Sequence, residues 1–194
     1  MLDKQIQTKG IEKIVDLAVK VTRKLNLTPK EAKVVQYVAS VHDIGMTQVS
    51  DGILNKTFNL TTEELAQIRS HPKVGAELIR PLEFVELVSN IILHHHERVD
   101  GLGYPMGLVG DEIPIGSRIL AVIDAYQSMI DERPYRERLT PMSAAQELVD
   151  CTGKQFDAEV VGCFIEVLKD EGKLSDEQAN NFKSAVKETA PSGY

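Results

Sequence analysis

All five histidines of the chain fall in three short segments: His42 beside Asp43, His71 beside Pro72, and His94-His95-His96, which leads into Glu-Arg-Val-Asp-Gly-Leu-Gly-Tyr-Pro. Each segment adjoins apolar sequence of helical period, so any fold must bring several helix ends to one place. Neutral imidazole mixed with carboxylate is a ligand set for divalent iron, manganese, cobalt, nickel and zinc, and one metal centre is the expectation. Consecutive helical side chains point about 100° apart, so His94, His95 and His96 cannot all converge. His95 and His96 share a centre only where their helix ends, and Asp100-Gly101 marks such an end. His94 is left as a supporting or solvent-facing residue.

The remaining pattern reads as helix after helix. Thr28-Pro29-Lys30-Glu31 is a capping box with proline at the first helical position, and it opens a helix running through Val34, Val35, Val38 and Val41 into His42. Thr61 to Glu64 offers a second box ahead of Leu65, Ile68 and His71, and Asp51-Gly52 signals a turn. A helix is expected over Leu82 to His96. Gly101, Gly103, Pro105, Gly107 and Gly110 then form a glycine-rich loop, and Pro114 starts a helix carrying Ile119, Leu120, Ile123 and Asp124. Thr140-Pro141 and Ser175 to Gln178 begin two more. Alternating strand patterns are nearly absent, and there is no internal repeat or low-complexity linker. The expected architecture is all-α: one helical bundle over residues 1–194, with a C-terminal helix and frayed tail over 173–194.

Composition narrows the function. Hydrophobic residues make up 42% and charged residues 26%, ordinary for a soluble globular protein. Apolar runs fall far short of the roughly 20 residues that span a bilayer, and no secretion signal is evident. Cys151 and Cys163 lack close spacing and read as buried free thiols in a reducing cytoplasm. The balance of 22 basic against 29 acidic residues gives −7, which argues against DNA, RNA or anionic-membrane binding. A small phosphate ligand remains compatible, because bound cations reverse the local field.

Asp43 and Asp124 carry the most weight after the histidines. Both sit among aliphatic residues at helical spacing, so both are expected to be buried. A buried carboxylate without a partner costs several kcal/mol and is normally paired, protonated or metal-bound. Beside imidazole clusters, metal binding is the favoured outcome, and a carboxylate can bridge two cations.

Taken together, His42-Asp43-Ile44-Gly45, His71-Pro72, and His95-His96-Glu97 followed by Asp100-Gly101-Leu102-Gly103-Tyr104-Pro105 closely resemble the HD-GYP domain, a bacterial branch of the HD phosphohydrolases. The likeness covers roughly residues 10–168 and continues through Arg118, Asp124, Arg133-Pro134-Tyr135-Arg136 and Phe156-Asp157. It implies a metal-dependent phosphodiesterase acting on cyclic di-GMP to give the linear dinucleotide or GMP. It implies two divalent cations (one to three in the family), with iron or manganese favoured. His42, Asp43 and Asp124 would serve one metal and form the catalytic group. Asp43 would bridge to a second metal held by His71, His95 and His96. Such a pair, roughly 3.5–4 Å apart, activates water and clamps the oxygens of an in-line displacement. Gly103, Tyr104, Pro105, Arg133 and Arg136 would contact substrate, the guanidinium forks suiting phosphate oxygens. The resemblance also implies a regulatory domain or a diguanylate cyclase as a partner.

The resemblance breaks at three positions. Gly10 stands where the family places a histidine ligand, leaving Glu12, Asp16 or solvent to fill the gap. Met46 replaces a lysine near the scissile phosphate, removing a charge and a donor. Gln127 replaces an aspartate one turn after Asp124. A receptor for cyclic di-GMP with impaired catalysis is therefore the alternative, ahead of a nucleotide phosphohydrolase of the wider HD superfamily.

Overall fold

A computed structural model describes residues 2–56, 58–79, 86–131 and 137–189, with side chains from Gly10 onward. The described chain runs through α1 (Leu2–Lys24), α2 (Pro29–Val41), α3 (Asp51–Leu54), α4 (Thr62–Arg69), α5 (His71–Ile79), α6 (Glu86–His94), α7 (Ile115–Ile130), α8 (Pro141–Asp150), α9 (Ala158–Asp170) and α10 (Asp176–Thr189). Two 3₁₀ turns, Ile44–Gln48 and Gly110–Glu112, join them. No strand occurs among the described residues, only the isolated bridges Asp100–Val109 and Thr152–Phe156. The fold is all-α.

The capping residues start helices as their sequence pattern predicts. Thr28 and Thr61 each accept from the backbone N–H three residues on, and Glu31 and Glu64 reach back to the cap N–H. Thr140 accepts from the Ser143 N–H and Ser175 from that of Gln178, and Asp157, not singled out as a helix start in the sequence, accepts from that of Val160. Each such cap contributes about 1 kcal/mol. Asp51-Gly52 is not a free turn. With Ser50 extended ahead of it, the pair forms the first turn of the short helix α3. The helix expected over Leu82 to His96 is described from Glu86 and stops at His94, its start falling partly outside the described residues.

Helix α7 is the axis of the bundle and packs on α1, α2, α6, α8 and α9. Its Ile119, Leu120, Val122 and Ile123 are fully buried, and Tyr126 meets Phe164 of α9 edge to face at 4.9 Å. Complete burial of one such aliphatic side chain stabilises by roughly 1.5–3 kcal/mol. The Ser117 hydroxyl donates to the Ile91 carbonyl at 2.9 Å, locking the start of α7 onto α6. One apolar cluster runs from Ile14 of α1 to Val186 of α10. Cys151 and Cys163 are free but only half-buried, so full burial does not hold for either. No described helix is long and apolar enough to cross a membrane.

Gly45 sits where two backbone segments touch. A Cβ there would lie 2.0 Å from the His71 carbonyl oxygen and 2.7 Å from the Gly75 nitrogen. Only glycine lets the Ile44–Gln48 turn rest directly on α5, and this sets Asp43 beside His71.

Candidate metal centre

Three helix ends deliver the histidines. His42 follows α2, His71 begins α5, and His95 and His96 follow the last residue of α6. Termination at His94 turns two adjacent side chains to one side, and all three rings of His71, His95 and His96 lie 4.1–5.2 Å apart, centroid to centroid. Their ligand atoms fall within 4.8 Å of one another. His94 stays buried with Nδ1 on the Asn90 carbonyl at 2.9 Å.

Backbone carbonyls fix which nitrogen is available. Nδ1 of His42, His71 and His95 lies 3.1, 2.7 and 2.6 Å from the carbonyl oxygens of Ala39, Ile68 and Ile92. A carbonyl only accepts, so Nδ1 carries the proton and the lone pair of a neutral ring sits on Nε2. Those Nε2 atoms point inward. His71 Nε2 is 3.3 Å from His95 Nε2 and 3.3 Å from Asp43 Oδ1, while His95 Nε2 is 4.0 Å from the same oxygen. His42 Nε2 lies 3.6 Å from Asp43 Oδ2 and 4.0 Å from Asp124 Oδ1, and it is buried with no hydrogen-bond partner. A buried orphan acceptor facing two carboxylates, beside two facing lone pairs, fits a divalent cation in place of the missing donor.

Electrostatics favours the same occupancy. Burial, reinforced by neighbouring imidazoles, holds His95 well below its ordinary value and His96 down at about 4, so both rings are neutral ligands at physiological pH. Burial is the largest single influence on His71 and opposes its charged form, but the bonds to Asp43 and the Ile68 carbonyl, with the charges of Asp43 and Asp124, together outweigh it and raise its pKa. At Asp43 the penalty of partial desolvation among the packed rings is overcome by His71, His42 and His95, which hold the carboxyl well below the usual carboxylate range. A proton on His71 Nε2 and a cation therefore compete for one place.

The carboxylates differ from expectation in exposure. The Asp43 side chain is 56% exposed and that of Asp124 36%, so neither is sealed in the core. They stand at an open mouth while the imidazoles form the floor. A cleft of about 320 Å³ continues from this point, lined by His95, His96, Arg98, Asp124, Ser128 and Gln155 among others.

The glycine-rich loop is held by a residue that motif reading leaves without a role. Glu97 is buried, and its carboxylate accepts from the backbone N–H groups of Met106, Gly107 and Leu108 at 2.7–3.2 Å. The sequence does carry a signal for it: a glutamate directly after two ligands, followed by a loop with unpaired amides. Gly103 fits because a Cβ there would lie 2.5 Å from the Glu97 Cα. Tyr104 stacks on His96 at 5.0 Å with 26° between the planes, and the Tyr104-Pro105 bond is cis. Arg98 grips Asp100 through two nitrogens at 3.0 and 2.6 Å and Gln155 through the third at 3.1 Å.

Of the substrate contacts expected from the sequence, Arg133 and Arg136 lie outside the described residues. The three positions that depart from the family pattern fall on three different elements. Gly10 sits inside α1 with open space where a side chain would be. Asp16, also on α1, is exposed and bonded to Lys20 at 2.5 Å, so it is engaged elsewhere. Met46 lies half-buried in the 3₁₀ turn, and the buried Gln127 of α7 donates to Asp131 at 2.6 Å.

The chain is similar to known proteins in sequence and in fold. The HD domain family model matches residues 2–160. A cyclic di-GMP phosphodiesterase response regulator, RpfG, of Xanthomonas campestris is 35% identical over 157 residues, which is 80% of this chain and 42% of that protein. A 3′3′-cGAMP-specific phosphodiesterase of Vibrio cholerae is 31% identical over 142 residues, 72% of this chain and 27% of that one. Among solved structures, an HDG"Y"P protein from Bdellovibrio bacteriovorus aligns with a TM-score of 0.65 at 22% identity, covering 82% of this chain and 51% of that chain. The chain spans less than half the length of the curated relatives it matches. It belongs to the HD domain family.

Proposed function

We propose that this domain hydrolyses a phosphodiester bond of cyclic di-GMP, giving the linear dinucleotide or GMP, with two divalent cations of the iron or manganese kind. The observation that carries this reading is the convergence of the Nε2 atoms of His42, His71 and His95 on the carboxylate of Asp43. His71, His95 and His96 with Asp43 would hold one cation, and His42 and Asp124 with Asp43 the other. Bound there, the cations supply Lewis acidity for attack at phosphorus. The protein's own contribution is orientation: carbonyls of Ala39, Ile68 and Ile92 fix the tautomers, so the ligands need no rearrangement. The Tyr104 phenol, pushed up to about 12 by burial and the nearby carboxylates, keeps its proton and can donate to a phosphate oxygen. Gly103, Pro105, Arg133 and Arg136 are further proposed substrate contacts.

A second reading is favoured by Gln127 and Gly10. The amide of Gln127 is taken by Asp131, and Gly10 supplies no ligand, so the His42–Asp124 side is the weaker cation site. A domain that loads only the His71 side would bind the dinucleotide as a receptor without turnover. Metal per chain, measured on protein purified without chelator, together with chromatography of cyclic di-GMP digests of the same sample, separates the two. Two metals with product formation is the expected result; one metal and saturable binding without product would establish the receptor, and full loading with neither would overturn both.

A further inference from the structure

We propose that Arg69 is a substrate-positioning residue that takes non-bridging oxygens of the phosphodiester at the rim of the metal centre, an inference that rests on the phosphodiesterase reading above. Arg69 ends α4, two residues before His71, and its guanidinium carbon lies 5.5 Å from the centre of the Tyr104 ring. Tyr104 in turn stacks on His96, so the guanidinium is one ring removed from the cluster. The contact with an aromatic ring restrains a long, exposed side chain without using its N–H donors.

Those donors are the second part of the argument. Arg98 is held by Asp100 and Gln155, and Arg118 bridges Asp111 and Asp157, both at 2.8 Å. No carboxylate among the described residues pairs with Arg69, although it is a guanidinium beside a site holding two. An arginine left with its fork open, in a protein of net charge −7 whose proposed substrate is an anion, is suited to bidentate capture of a phosphate group. It would also offset the repulsion such a substrate meets on approach. Its ordinary duty at a helix C-terminus is to complement the helix dipole, and lysine would serve that equally.

The test uses metal-loaded wild type, Arg69→Gln and Arg69→Lys, with three readouts: KM and kcat for cyclic di-GMP, Kd for inorganic phosphate by calorimetry, and Tm. Arg69→Gln should raise KM and phosphate Kd by roughly tenfold or more, the loss expected for one charged hydrogen-bonding group, with kcat held within about threefold. Arg69→Lys should fall between, since it keeps the charge and loses the fork. A lower Tm with unchanged KM and phosphate Kd in Arg69→Gln would reduce Arg69 to a helix cap and overturn the inference. Should wild type bind phosphate yet hydrolyse no cyclic di-GMP, the proposed activity fails and the phosphate titrations still decide Arg69. Absence of both binding and hydrolysis in wild type would overturn the two together.

Discussion

Asp43 is the residue on which the candidate site turns, because three imidazoles address its two oxygens. Asp43→Ala should strip both cations and remove the stability that metal confers by mass action, about 2.7 kcal/mol where free metal is roughly 100-fold above its Kd. Metal analysis after gel filtration, with Tm recorded with and without chelator, checks this: wild type should lose Tm on chelation and the variant should not respond. Unchanged metal content in Asp43→Ala would reassign the ligands. Among the residues, the histidines were legible because five of them in three segments leave little else to build. The exposure of Asp43 was not legible, since its neighbours Val38 and Ala39 belong to the helix and not to the turn that carries it. The reach of Arg69 to Tyr104 was also hidden, because the two are far apart in the chain and no pattern links an exposed arginine to a loop.

At the scale of elements, helix starts were readable and helix functions were not. Caps at Thr28, Thr61, Thr140 and Ser175 are local chemistry, written in four consecutive residues, so sequence suffices. The Asp51-Gly52 pair shows the limit: the same dipeptide serves a turn or a first helical turn, and packing decides. The loop of residues 97–110 depends on a tertiary contact, the Glu97 carboxylate under three amides. Glu97→Gln puts an N–H₂ group against N–H donors and removes the charge, at a cost of about 1–3 kcal/mol. Amide exchange at Met106 to Leu108 should accelerate by a factor of about ten or more while α9 is unaffected. Equal protection in wild type and variant would show that the loop holds without the clamp.

Across the whole molecule, the centre makes stability depend on pH. In the metal-free protein His96 is held at about 4 and His95 also well below 6.5, whereas both titrate near 6.5 once unfolded. Between those values the unfolded chain binds more protons, so stability falls as pH is lowered from about 6.5. The depressed carboxyl of Asp43 acts in the same sense further down, its contribution present above about 3.9 and lost as pH falls through its folded value. His71, raised, works the other way: its contribution is full below about 6.5 and lost as pH rises through its folded pKa. Thermal scans of chelated protein should show Tm dropping from pH 7 to pH 4.5, less steeply in His96→Ala; a flat profile would contradict the buried neutral rings. The all-α bundle itself was legible from period and caps, whereas the packing of the Ile44–Gln48 turn on α5 rests on what Gly45 lacks. Residue, loop and site meet at one place in the chain, where His95, His96 and the loop anchor Glu97 are consecutive. The inner wall of the site and its outer rim are thus two ends of a single rigid hinge pin, one peptide long. Because Gly103 packs on Glu97 and Tyr104 stacks on His96, the loop is seated on both ends of that pin, and an insertion between His95 and Glu97 would uncouple the wall from the rim.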